Sequence, residues 1–129
     1  MTLLPVFVVD DNPMFARLLQ VHLNNAGRFD VHVFPSGEKC LAYLHLQPRA
    51  VLLDYQLGGE NALNGQQVLR VLLECPWHPK VIFMSNHQDK EQELLQSGVL
   101  AFIAKDKGAF SRLDAVLAAG FPGETNQPL

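Results

Sequence analysis

Apolar runs along this chain stop abruptly at polar or charged residues. Val6, Phe7, Val8 and Val9 lead into Asp10 and Asp11; Ala50, Val51, Leu52 and Leu53 lead into Asp54. Val81, Ile82, Phe83 and Met84 stop at Ser85, and a fourth run, residues 101–104, stops at Lys105. Short apolar runs separated by segments of helical spacing predict buried parallel strands. These fall at 6–10, 50–54, 80–84 and 101–104, and an alternating segment adds a strand at 29–34.

Helical signals fill the gaps. Pro13 suits a first helical turn, Asn12 suits its cap, and Gly27 suits its end. Phe15, Leu18, Leu19 and Leu23 predict the buried face of this helix. Ser36 caps a second helix carrying Leu41, Tyr43 and Leu44 and ending near Pro48. A third helix over 65–75 presents Val68, Leu69, Leu72 and Leu73. Residues 90–97 predict a short charged helix (Lys90, Glu91, Glu93), closed by Gly98. Residues 111–119 predict a last helix, packed through Leu113, Val116 and Leu117.

Strand–helix alternation with short links predicts an α/β fold, a doubly wound parallel sheet with helices on both faces. Ligands of such sheets bind at the carboxyl ends of the strands. Asp10, Asp11, Asp54, Ser85 and Lys105 would meet at that rim. Three carboxylates, a hydroxyl and a lysine together suit a divalent metal and a phosphoryl group.

The 129 residues fit one domain, expected over 1–119, with a flexible tail or linker over 120–129 rich in Gly, Pro, Asn and Gln. A formal charge of −3 gives no basic footprint, which argues against nucleic-acid binding by this domain itself. Cys40 and Cys75 lie inside helical patterns without CxxC spacing and read as buried thiols of a reducing compartment. No apolar stretch approaches the roughly 18 residues of a membrane span. The first residues lack the basic region of a signal peptide, so a cytoplasmic location is expected.

Taken in order, Asp10-Asp11, Asp54, Ser85 and Lys105, with Phe102 three residues before the lysine, resemble a bacterial two-component response-regulator receiver domain over residues 5–119. The resemblance implies a flavodoxin-like five-stranded sheet of order 2-1-3-4-5. It implies that Asp54 accepts a phosphoryl group from a histidine kinase or histidine phosphotransfer protein. Mg2+ (or Mn2+) would be held by Asp10, Asp11, Asp54 and the backbone carbonyl of Gln56, since magnesium prefers oxygen ligands and few carboxylates. Lys105 and Ser85 would contact the phosphoryl oxygens. Ser85 and Phe102 would then switch, altering the surface of the helix over 90–97, the strand over 101–104 and the helix over 111–119. Gln56 and His87 match the family's positions for tuning dephosphorylation.

Such a chain is a signalling switch, limited to self-catalysed phosphotransfer and slow autodephosphorylation. Its output domain or downstream protein is unnamed by the sequence, and homodimerisation on activation is a family expectation. Two departures stand out. The loop over 55–64 is longer than usual and lacks the family's proline, and Asp106 follows Lys105 where many receivers carry proline.

Each residue also has a plainer reading. Asp10 and Asp11 could cap a helix, Ser85 could be a loop serine, Lys105 a solvated surface lysine and Phe102 core. His22, His32, His45 and His78 lack ligand spacing and read as surface or helix-face residues. An aspartyl-nucleophile phosphatase normally carries its nucleophile after the first strand with a second acid two residues on; here Asn12 and Pro13 follow the acidic pair. A non-phosphorylated pseudo-receiver, acting only as an interaction module, typically loses an acid or the lysine, and this chain keeps both. A flavodoxin-like cofactor domain would need a Gly-rich or Ser/Thr-rich loop after the first strand, and none is present.

Overall fold

The computed structural model describes residues 3–86 and 98–122. Its five strands are β1 (Leu4–Val9), β2 (Phe29–Phe34), β3 (Ala50–Asp54), β4 (Lys80–Ser85) and β5 (Ala101–Ala104). All neighbours pair in parallel, in the order β2-β1-β3-β4-β5, as expected. The described helices are α1 (Pro13–Asn25), α2 (Gly37–Ala42), α3 (Gly65–Leu73) and α4 (Ala109–Gly120). The helix expected over 90–97, and His87, lie outside the described residues.

Side chains alternate across a strand, so the sheet divides the core in two. Val6, Val8, Leu52, Ile82, Met84 and Ile103 face one way and pack on Leu19 and Leu23 of α1 and Leu113 and Leu117 of α4. Phe7, Val9, Val51, Leu53, Val81 and Phe83 face the other way, onto Cys40 of α2 and Val68 and Leu72 of α3. Burial on both faces is why the central strands β1, β3 and β4 are nearly continuous apolar runs, while the edge strand β2 alternates.

Asn12 caps α1, its side chain accepting from the backbone N–H groups of Met14 and Phe15, with Pro13 in the first turn. Asn64 and Gln67 form a reciprocal capping box at the start of α3.

Several expected face residues point elsewhere. Leu18 is exposed, because Ala16, Leu19 and Leu23 define the buried stripe of α1 and Leu18 sits about 100° from Leu19. Leu73 is likewise exposed on α3, beside the buried Leu72. The second helix is shorter than expected: α2 stops at Ala42, the exposed Tyr43 leaves helical geometry, and a 3-10 turn (Leu44–Leu46) follows. α4 extends through Gly120, beyond the expected end of the domain at 119, and Phe121 is buried against the α1–α4 core.

Candidate functional site

Parallel register brings the strand ends together. Asp54 lies opposite Met84, and Ser85 lies opposite Ala104. Beyond the last pairs, Asp10 N–H still donates to Phe34 O (3.1 Å) and Lys105 N–H to Ser85 O (2.8 Å). These bonds hold Asp10 and Lys105 as extensions of β1 and β5, so all five expected residues reach the same rim.

The two oxygens of Asp10 have separate partners. Oδ1 accepts from Asn12 N–H (2.9 Å), which ties the acid to the start of α1, and Oδ2 accepts from Lys105 Nζ (2.9 Å). Asp54 Oδ1 accepts from Gln56 N–H (3.1 Å) and lies 3.3 Å from Lys105 Nζ. Asp10 and Asp54 are 3% and 4% exposed, while Asp11 is exposed at the mouth. Lys105 is thus a largely shielded cation shared by two buried acids, not the solvated lysine of the plainer reading.

Burial pushes the Asp54 carboxyl above the usual carboxylate range, and the neighbouring charge of Asp10 pushes the same way. Lys105 and the Gln56 N–H oppose that shift without cancelling it. Each of Asp10, Asp11 and Asp54 offers an oxygen, and the three lie within 4.8 Å of one another. Hard oxygen donors so grouped, with one acid open to solvent, fit a divalent cation of the magnesium type.

Ser85 is fully buried, and its Oγ accepts from Gln56 Nε2 (2.6 Å). Gln56 Oε1 in turn accepts from Asn86 N–H (3.3 Å), so this side chain fastens the end of β4 to the loop after β3. Sequence reasoning assigned Gln56 a backbone carbonyl role and a tuning role; its side-chain bridge to Ser85 needed the fold to become visible. Phe102 is half-buried on the α2–α3 side of the sheet, paired with Phe83 in register.

The long loop is well anchored. Leu57 is buried, and Glu38 of α2 accepts from Leu63 N–H (2.8 Å). Gly58 has a φ of +99°, and a Cβ there would lie 2.6 Å from Leu63 O, so the turn requires glycine. After Lys105, where Asp106 stands in place of the proline of many receivers, Arg112 of α4 donates to Ala104 O (3.1 Å) and Asp106 Oδ1 (2.5 Å). Asp106 Oδ1 also accepts from Gly108 N–H, and these bonds hold its carboxyl below the ordinary range. Phe15 of α1 was expected only as core; its ring centroid lies 4.7 Å from Lys105 Nζ.

Cys40 and Cys75 are free and buried, and burial pushes the Cys40 thiol up to about 12, so neither reads as a nucleophile. His22 pairs with Asp114 (2.7 Å) and His32 with Asp30 (3.2 Å), away from the rim. No helix among the described residues is long and apolar enough to cross a membrane.

Comparison with known proteins agrees with this geometry. The family model for the response regulator receiver domain matches residues 6–117. The DNA-binding response regulator MtrA of Mycolicibacterium smegmatis is 41% identical over 102 residues, covering 78% of this chain and 43% of MtrA. The protein named "Probable transcriptional regulatory protein SgaR" of Hyphomicrobium methylovorum is 29% identical over 117 residues, covering 88% of this chain and 54% of SgaR. The chain therefore spans about half the length of the curated relatives it matches. Among solved structures, the signal receiver domain of a modulated diguanylate cyclase from Desulfovibrio desulfuricans G20 superposes with a TM-score of 0.79 at 27% identity, covering 95% of this chain and 97% of that one.

Proposed function

Since the chain belongs to the response regulator receiver domain family, we propose that Asp54 is its phosphoacceptor and that phosphorylation there is its signalling event. The observation that carries this reading is the buried Asp54 carboxylate, set beside Asp10, within 3.3 Å of the Lys105 ammonium and within a shared cluster of acidic oxygens.

Asp54 acts as the nucleophile. One of its oxygens forms a bond to phosphorus as the donor's N–P bond breaks. The electron pair of that bond stays on the departing imidazole nitrogen, which takes up a proton from solvent. The product is an acyl phosphate on Asp54 and an unphosphorylated histidine on the kinase or phosphotransfer partner. Asp10, Asp11, Asp54 and the Gln56 carbonyl would hold Mg2+ (or Mn2+), whose charge would offset that of the phosphoryl group. Lys105, a single charge on a flexible stem, would turn from Asp10 to a phosphoryl oxygen. Ser85 would exchange its Gln56 contact for another phosphoryl oxygen. The chain's work is positioning and electrostatics, as phosphoryl transfer requires.

Converting the Asp54 carboxylate to an acyl phosphate replaces one negative charge by about two and sets phosphoryl acceptor oxygens at one buried point. Ser85 and Phe102 would respond to it and change the surface around β5 and α4, which an output domain, a downstream protein or a second copy would read. Gln56 bridges Ser85 and Asn86, so it would resist that change and bear on the lifetime of the phosphoryl group. The chain would turn over no substrate beyond its own phosphorylation and slow hydrolysis. The relatives' names include DNA binding and transcriptional regulation. With a net charge of −3, this domain would leave DNA contact to another part of such a regulator. A cytoplasmic setting follows from kinase-driven signalling.

Intact-mass measurement after incubation with Mg2+ and a small acyl-phosphate donor tests the proposal. The expected result is one labile phosphoryl adduct, lost in Asp54→Asn and without metal. A folded, metal-binding protein that takes up no phosphoryl group would overturn it.

A further inference from the structure

We propose that Phe15 is a positioning residue for Lys105, its ring face holding the lysine ammonium in the site through a cation–π contact. This rests on the reading of Asp54 as phosphoacceptor and adds a role for a residue outside the acidic cluster. Lys105 Nζ lies 4.7 Å from the Phe15 ring centroid, well inside the range at which the negative ring face attracts a cation. The lysine side chain is only 9% exposed, so the contact is largely shielded from water and from screening by salt.

The ring is itself held in place. Phe15 N–H donates to the Asn12 cap (3.2 Å), which fixes the first turn of α1. Its ring packs beside Phe110 of α4 (centroids 6.1 Å apart, tilted by 50°) and on the α1–α4 core. Phe15 therefore sits where α1 meets α4, with its face toward the lysine.

Charge accounting gives the contact its use. In the resting site, Lys105 is held by Asp10 at 2.9 Å and Asp54 at 3.3 Å. Both acids also belong to the cluster suited to a divalent cation, and Asp54 is the oxygen donor to phosphorus. As these carboxylates give their charge to other partners, their hold on the ammonium weakens. A lysine stem has many rotamers, and an unheld ammonium would move toward solvent. The ring carries no net charge and has no other role in the transfer, so its attraction persists throughout. Phe15 keeps the ammonium within reach of the incoming phosphoryl oxygens.

Replacing Phe15 by mono-, di- and trifluorinated phenylalanine tests this, because fluorination drains the ring face while nearly preserving its shape. The phosphorylation rate with a small acyl-phosphate donor should fall stepwise along the series, by about three- to thirtyfold in total. The same series in Lys105→Met should be flat, since no cation remains to feel the ring. A second readout needs no phosphorylation: in NMR spectra, the Lys105 ε-methylene protons should be shifted upfield by the ring, with and without Mg2+. That shift should vanish in Phe15→Leu and persist in Phe15→Tyr. Equal rates along the series, or Lys105 protons at ordinary positions, would overturn the proposal. A wild-type protein that shows the upfield shift yet takes no phosphoryl group would instead overturn the phosphoacceptor reading.

Discussion

Replacing Asp54 by asparagine should make the metal-free protein more stable at neutral pH, although it removes the group on which the proposed chemistry depends. The oxygens of Asp10, Asp11 and Asp54 lie within 4.8 Å of one another; at an effective dielectric of about 20, two full charges at that distance repel by about 3.5 kcal/mol. Lys105 at 3.3 Å returns an attraction of about 5 kcal/mol on the same scale, and it is shared with Asp10. The contribution of the exposed Asp11 is reduced by solvent screening. These opposing terms nearly balance, which leaves burial of the carboxylate to set the sign. Burial is also the largest cause of the upward shift at Asp54.

Asparagine keeps the shape and removes the charge, so a gain of about 1–2 kcal/mol is expected, or about 5 °C in Tm for a domain of this size. The pH dependence follows from linkage. The folded-state pKa of Asp54 is raised, so between its ordinary value and that raised value the folded state binds more protons, and wild-type stability falls as pH rises. The advantage of the variant should be full above the raised pKa and vanish in acid, where the wild-type carboxyl is protonated in both states. Urea unfolding of both proteins, from neutral pH down into the ordinary carboxylate range, reads this directly. A variant equal to or weaker than wild type at neutral pH, or a gain that does not change with pH, would refute the reasoning.

Lys105→Met should act in the opposite direction, destabilising by about 3 kcal/mol at neutral pH because it strips two buried carboxylates of their cation; calorimetry should show the loss shrink in acid or when Mg2+ is added. Gly65→Ala should destabilise by about 2 kcal/mol, since a Cβ there would meet Asp54 O at 2.9 Å, Phe83 Cε1 at 3.0 Å and Tyr55 O at 3.1 Å. Its denaturant midpoint should fall, and amide exchange should quicken around residues 54–57 first.

The strands at 6–10, 50–54, 80–84 and 101–104 were legible because burial makes each a nearly continuous apolar run, and the residue that ends the run marks the rim; their order came from the family resemblance. Asp10, Asp54, Ser85 and Lys105 could be placed from that rule alone. The side chains that join them could not. Gln56 reaches Ser85, 29 positions away, only because β3 and β4 are neighbours. Phe15 meets Lys105 only because α1 and α4 pack side by side on the same face of the sheet. Leu18 and Leu73 were misplaced for a local reason, since hydrophobicity does not distinguish a buried stripe from the positions one step around the helix. The unusual length of the loop over 55–64 was visible in the sequence, but its tether to Glu38 depends on how α2 lies beside it.

Borohydride trapping tests the central claim most directly, because it reads the modified residue rather than the mass of the whole chain. After incubation with Mg2+ and an acyl-phosphate donor, borohydride reduces an aspartyl phosphate to homoserine, and peptide mass spectrometry locates it. The account predicts homoserine at position 54 and at no other aspartate. Homoserine at position 10 or 11, or none at all in a protein that carries a phosphoryl adduct, would contradict it.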